Sequence, residues 1–143
     1  MAHAAAIAAV QAMWTAYWPH GTTYDVLWRS NSLDQMPQPG ANPVWVELDV
    51  QFLVERLTAF GAGQRANERL LSGRVLITVH AAAGSGEATS LSLMDDALDV
   101  FRSRVSGALS FIGDAVYPMP GPSEDGLWWD RSAVAAFTYR FQG

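Results

Sequence analysis

From Val44 to Val54 the chain alternates without a break, with Val44, Val46, Leu48, Val50, Phe52 and Val54 set against Trp45, Glu47, Asp49, Gln51 and Leu53. A period of two places one set on each face of a pleated strand, so this segment reads as a strand with one buried face. A parallel strand buried on both faces would read as one continuous apolar run instead. The alternation therefore points to an antiparallel or mixed sheet that something must cover on its apolar side.

The cover is expected from two amphipathic helices. Over residues 3–18, Ile7, Val10, Trp14 and Tyr17 recur at helical spacing, and Pro19, His20 and Gly21 end the run. A second helix is expected from Glu87 to Val105, with Leu91, Met94, Leu98, Phe101 and Val105 as its apolar stripe and Asp95, Asp99 and Arg102 turned away. Short strands are expected at Tyr24–Trp28, Arg74–His80, Leu109–Tyr117 and Ser132–Phe141. Residues 55–73 read as a long connection, in part an extended hairpin tip around Gly61 and Gly63, and Pro118 to Pro122 reads as an exposed loop. The order is α-β-β-β-α-β-β. The fold class is α+β, a mainly antiparallel or mixed sheet with two main helices on one face, in a single domain over residues 1–143.

At 143 residues, half of them hydrophobic and 16% charged, the chain has enough apolar surface for one core. It has no cysteine, which excludes disulfides, thiol catalysis and cysteine-bound zinc. The apolar run Ala2–Val10 is too short to span a bilayer and lacks a basic flank, so no membrane partner is expected. The formal charge is −5, which disfavours binding to phosphate backbones. All nine basic residues are arginines, side chains suited to forked contacts across interfaces.

Catalytic patterns are thin, and no enzyme activity or cofactor is expected. No Gly-x-Ser-x-Gly elbow is present, and His3, His20 and His80 fall in no metal-ligating spacing. Asp95, Asp96 and Asp99 cluster on the second helix but lack the further oxygen ligands of a cation site, and they read as a solvated face. Gly61-Ala-Gly63-Gln-Arg-Ala66 fits a loose dinucleotide fingerprint without room for its crossover helix. Gly84-Ser85-Gly86 precedes a helix but no Gly-Lys-Ser/Thr follows.

The aromatic residues say more. There are six tryptophans: Trp14, Trp18, Trp28, Trp45, Trp128 and Trp129. Trp45 and Leu53 share the polar parity of their strand, so either another subunit or a loop of the same chain must cover them. Extended backbone at Trp128-Trp129 puts the two rings on opposite faces. Trp45, Leu53 and Trp128, with Arg56, Arg65 and Arg69 of the long connection, are the candidate contacts to neighbouring subunits.

The linked segments resemble the tail-terminator family of long-tailed bacteriophages and phage-derived particles such as gene transfer agents. The resemblance rests on the Ala-rich first helix, Val26-Leu-Trp-Arg-Ser-Asn31, and the Pro/Gly stretch leading to Val44-Trp-Val-Glu-Leu-Asp-Val50. It continues through Arg69-Leu-Leu-Ser-Gly73, the Gly84-Ser-Gly86 loop, Asp99-Val-Phe101, Trp128-Trp129 and Phe137-Thr-Tyr-Arg-Phe141. It departs at Ala81 to Ala83, where such loops often carry a proline. The resemblance implies a structural subunit that forms a hexameric ring at the head-proximal end of the tail tube. Its implied partners are its own copies, the tail-tube protein and a head-completion protein. Its implied location is the virion tail, assembled in the bacterial host cytoplasm. DNA passes through such a ring without specific binding, and an acidic lumen drawn from Glu47, Asp49, Asp95, Asp96 and Asp99 would keep it from sticking. Alternatives are another head–tail connector or tail-tube component, or a small ligand-binding domain or enzyme using His80 with a carboxylate.

Overall fold

The computed structural model describes residues 2–29, 43–59, 67–82, 87–111, 115–118, 120–123 and 126–143. The α+β class holds. Helix α1 (Ala2–Tyr17) leads to strand β1 (Asp25–Trp28), then β2 (Val44–Ala59), β3 (Glu68–Ala82) and helix α2 (Glu87–Phe101). The short strands β4 (Val105–Ser106), β5 (Leu109–Ser110), β6 (Ala115–Val116) and β7 (Gly121–Pro122) follow, and the long β8 (Trp128–Gln142) closes the chain. The sheet runs β1-β2-β3-β8-β5-β4, with β6 and β7 also on β8. Among the described residues β1 pairs parallel to β2 and the other strand pairs are antiparallel.

The alternation does what its period dictates. Val44, Val46 and Leu48 of β2 point into the same core as Val75, Ile77, Val79 and Ala81 of β3 and Ala133 and Phe137 of β8. Val10, Met13 and Trp14 of α1 and Leu93, Met94, Ala97, Leu98, Val100 and Phe101 of α2 cover that face. Each fully buried aliphatic side chain here contributes about 1.5–3 kcal/mol. Helix α1 stops where Pro19 removes its N–H and disfavours helical backbone at Trp18. Helix α2 ends at a left-handed residue, Ser103, with φ of 57°.

Three expectations need correction. The stripe on α2 is wider than expected: Met94, Leu98 and Phe101 are buried as expected and are joined by Leu93, Ala97 and Val100, while Leu91 is exposed and Val105 lies beyond the helix. On α1, Tyr17 is exposed and Ala6 and Met13 take its place in the core. The segment Leu109–Tyr117 is not one strand but two short pairings, β5 and β6, each on the outer edge of β8.

The described parts of residues 55–73 are mostly strand. β2 continues to Ala59 and β3 begins at Glu68, paired Ala59↔Glu68 with register shifts at Phe52/Val54 and Leu57/Ala59. β3 pairs with β8 along its whole length, from Ala82↔Trp128 to Glu68↔Gln142. The hairpin tip and Arg65 lie outside the described residues. The three long strands thus form an arm. Every residue from Leu53 to Ala59 is exposed, so about 20 Å of β2 runs past the helices with neither face covered.

Candidate interaction surfaces and a buried charge cluster

Two features of the sheet carry chemistry, one largely buried around His80 and one open. The buried one lies on the face away from the helices. The register aligns Trp45 with His80 and His80 with Asp130, and puts Glu47 one pleat further along β2. The His80 Nδ1–H donates to Asp130 Oδ1 at 2.5 Å, and Nε2 stands 3.8 Å from Glu47 Oε1, an ion-pair distance too long for a hydrogen bond. Arg29, just after β1, donates from Nη1 to both Glu47 oxygens at 3.3 and 3.1 Å. Beside the cluster Thr78 and Ser132 share a hydroxyl hydrogen bond at 3.2 Å. The indole of Trp45 stacks on the imidazole at 4.0 Å, and Trp128 meets Trp45 edge-on at 6.0 Å.

This geometry corrects three of the site residues named from sequence. Trp45 is fully buried and Trp128 is 2% exposed within the single chain, because the rings of Trp45, His80 and Trp128 close over one another. Neither is a contact surface for a second subunit. Glu47, 7% exposed and held between Arg29 and His80, faces no lumen.

Burial disfavours the His80 imidazolium, but the hydrogen bond to Asp130 and the charges of Asp130 and Glu47 outweigh it and hold the pKa above the usual imidazole value. Burial also pushes Glu47 up, and its contacts with His80 and Arg29 outweigh that and hold it below the usual carboxylate value. The linkage signs follow. The stabilisation from His80 is complete below the ordinary imidazole pKa and is lost as pH rises through the raised one. That from Glu47 is complete above the ordinary carboxylate pKa and is lost as pH falls through the lowered one. Urea midpoints measured against pH are therefore expected to peak between the two ranges. His80→Gln should flatten the alkaline decline, and an unchanged decline would show that His80 does not hold this charge.

The acidic residues do not share one surface. Asp49 sits on the sheet face with Glu47, whereas Asp95, Asp96 and Asp99 ride on α2 on the other side. Asp96 meets His20 Nε2 at 2.6 Å and Asp99 accepts from Arg102 at 2.7 Å, while Asp95 is exposed. The sheet thus separates the five into two groups, Glu47 and Asp49 on one side and Asp95, Asp96 and Asp99 on the other. Among the described residues no group of three or more His, Asp or Glu is placed to hold a metal ion, and no helix is long and apolar enough to cross a membrane.

The open feature is the arm. Leu53 is 60% exposed, Val54 42% and Leu57 40%. Neighbouring residues on a strand point to opposite faces, so Leu53 and Val54 leave apolar surface bare on both sides. β1 pairs with β2 only from Trp45 to Leu48, with one more bond from Arg29 N–H to the Leu48 carbonyl. Past that point no described strand pairs with the outer edge of β2. Across the arm Arg69 pairs with Glu55 and Arg140 with Glu68, each at 3.3 Å. Arg56 is exposed, and its guanidinium makes no ion pair or hydrogen bond among the described residues. Leu53 and Arg56, named from sequence, are thus both on the open surface, and Arg69 is on the arm but paired within it.

Sequence reasoning passed over a second open surface. Between the end of α1 and β1 lies a groove of about 430 Å³ lined by Trp14, Trp18, Thr22, Tyr24, Asp25 and Trp28 among others. Trp14 and Trp18 stack at 4.4 Å and Trp28 packs edge-on against Trp14 at 6.3 Å. The tryptophans at helical spacing read as core, which they partly are; only the fold shows that they also wall a groove.

No family model matches the chain, and no curated protein matches it. A solved structure aligns over 94% of this chain and 94% of its own, with a TM-score of 0.55 and 14% identity. At that identity the likeness shows a shared fold and carries nothing about activity.

Proposed function

We propose that this chain is a structural subunit that closes into a ring, of the tail-terminator type, at the head-proximal end of a phage or phage-like tail tube. The observation that carries the ring is the arm. A strand that is bare on both faces, has no partner on its outer edge among the described residues and is studded with Leu53, Val54 and Leu57 is a liability in a monomer and an asset in an assembly. The two register shifts are the bulges that blunt such an edge against indiscriminate pairing, which leaves a selective contact rather than an aggregating one. The tail-terminator identity rests on the sequence resemblance. The ring's partners are then the tube end and a head-completion protein, and an overall charge of −5 suits a conduit that DNA crosses without sticking.

The reading that places His80 in a small-molecule site has less support. Carboxylates do converge on the imidazole, but it is 4% exposed and its ring is capped by Trp45.

The test replaces Leu53 and Leu57 together with aspartate. Both side chains are exposed, so the urea midpoint should move by no more than about 0.5 kcal/mol equivalent. The oligomer seen by light scattering should fall to a monomer. A double variant that still forms the wild-type ring would remove the arm from the interface.

A further inference from the structure

We infer that the arm of a second copy of this chain docks in the cleft between α2 and the β6–β7 segment, with the Arg56 guanidinium paired to the Asp95 carboxylate. The inference rests on the ring reading and names the two surfaces that would meet. The cleft has a volume of about 260 Å³ and is lined by Leu91, Asp95, Tyr117, Pro118, Pro120 and Arg131 among others. Its apolar walls are open in the single chain, since Leu91 is 46% exposed and Tyr117 57%. The arm offers surface of the same kind, with exposed aliphatic side chains at Leu53, Val54 and Leu57. Burying the two against each other removes apolar area from water on both sides of the contact.

Charge selects the occupant. Among the described side chains, Glu47, Glu55, Glu68, Asp96, Asp99 and Asp130 are held by an arginine or a histidine. Asp49 accepts from Gln51, and Asp25 is engaged within the chain. The Asp95 carboxylate is exposed at the cleft and makes no hydrogen bond or ion pair among the described residues. The arginines divide in the same way. Arg29, Arg69, Arg102 and Arg140 hold carboxylates, Arg74 donates to Gln51, Arg104 lies over the Tyr17 ring, and Arg131 is engaged within the chain. That leaves the Arg56 guanidinium, standing on the bare arm beside Leu57.

The wider charge pattern agrees. The segments that carry the strands of the arm, 53–73 and 137–143, hold four arginines against two glutamates, and the rest of the chain holds five arginines against twelve acidic residues. A basic arm therefore meets an acidic body when one copy approaches the next. The arm cannot fill its own cleft. Arg56 is aligned through Leu70 with Arg140, whereas the cleft touches β8 at Arg131 and Ser132, about 30 Å back along the strand. Arm and cleft are two different surfaces, and a contact between different surfaces is heterologous, the kind that propagates from copy to copy and closes into a ring.

The test is a charge swap on the full chain, read by light scattering against concentration. Arg56→Asp and Asp95→Arg each place like charges across the contact and alter exposed residues. Each should raise the concentration at which half the chains are assembled at least about tenfold. The double variant Arg56→Asp/Asp95→Arg restores opposite charges in every contact and should return to within about threefold of the wild type. A second measurement does not depend on the charges. The chain contains no cysteine, so Thr58→Cys on the arm and Ser92→Cys, one turn before Asp95 on α2, report one contact without background. Mixed in equal amounts and oxidised mildly, they should give 58–92 disulfides well above 58–58 and 92–92. An oligomer that forms at the wild-type concentration with either single reversal, or one without 58–92 disulfides, overturns the docking and leaves the ring reading standing. Single variants that weaken assembly without recovery in the double variant overturn the pairing of Arg56 with Asp95. A wild-type protein that stays monomeric at millimolar concentration overturns both readings.

Discussion

Trp45→Ala is expected to cost about 3–5 kcal/mol of stability, the range for removing a large aromatic side chain from a closed interior. The ring is fully buried, although it lies on the sheet face away from both helices. Its loss would strip the stacking partner from His80 and the edge contact from Trp128, and would open the buried His80–Glu47 pair to water. Opening has a second cost, because the ion pairs would then be screened. The variant should therefore lose midpoint stability in urea and also flatten the pH dependence set by His80 and Glu47. A loss under about 1 kcal/mol, with assembly impaired instead, would mean that Trp45 serves as an interface residue after all.

Gly73→Val should be nearly as damaging, for the opposite reason. Gly73 pairs with Phe52 on one side and Phe137 on the other, at the start of the arm. A Cβ there would lie 2.5 Å from Phe137 Cζ and 2.6 Å from the Gln51 carbonyl oxygen. The ring could swing aside, but the backbone oxygen could not without breaking the β2–β3 ladder. Overpacking of this kind costs about 1–3 kcal/mol or more, and a branched residue belongs at the upper end. Thermal unfolding of Gly73→Val against Gly73→Ala measures it. Equal melting temperatures for both variants and the wild type would show that the strands part easily at this point.

What could be read from the sequence follows from what each signal measures. The period of Val44–Val54 marks a half-buried strand wherever it occurs, and it located β2 and its inward face. The same signal fails after Val54. Glu55, Arg56, Thr58 and Ala59 lose the apolar alternation because that stretch covers nothing; it is held as strand by pairing with Leu71, Leu70 and Glu68. The stripe on α2 was read too narrowly: Met94, Leu98 and Phe101 are buried as read, but Leu93, Ala97 and Val100 join them, because the helix packs against α1 as well as against the sheet. For Trp45, parity gives the face but not the cover. That depends on His80, aligned across β3, and on Trp128 at the start of β8, both distant in sequence. The groove was invisible for the same reason, since α1 and β1 supply its walls from separate segments. Leu53 and Arg56 are exposed, a state that depends on no distant partner.

The central claim is that one chain carries both halves of a closing contact. Its most direct test is the mass of the wild-type protein in solution, followed by light scattering as concentration is raised. The account predicts a climb to a single plateau at six chains. A mass that stays at 15.5 kDa at every concentration would contradict it. So would a dimer that grows no further, since a two-fold contact uses one surface twice and cannot close a ring of six.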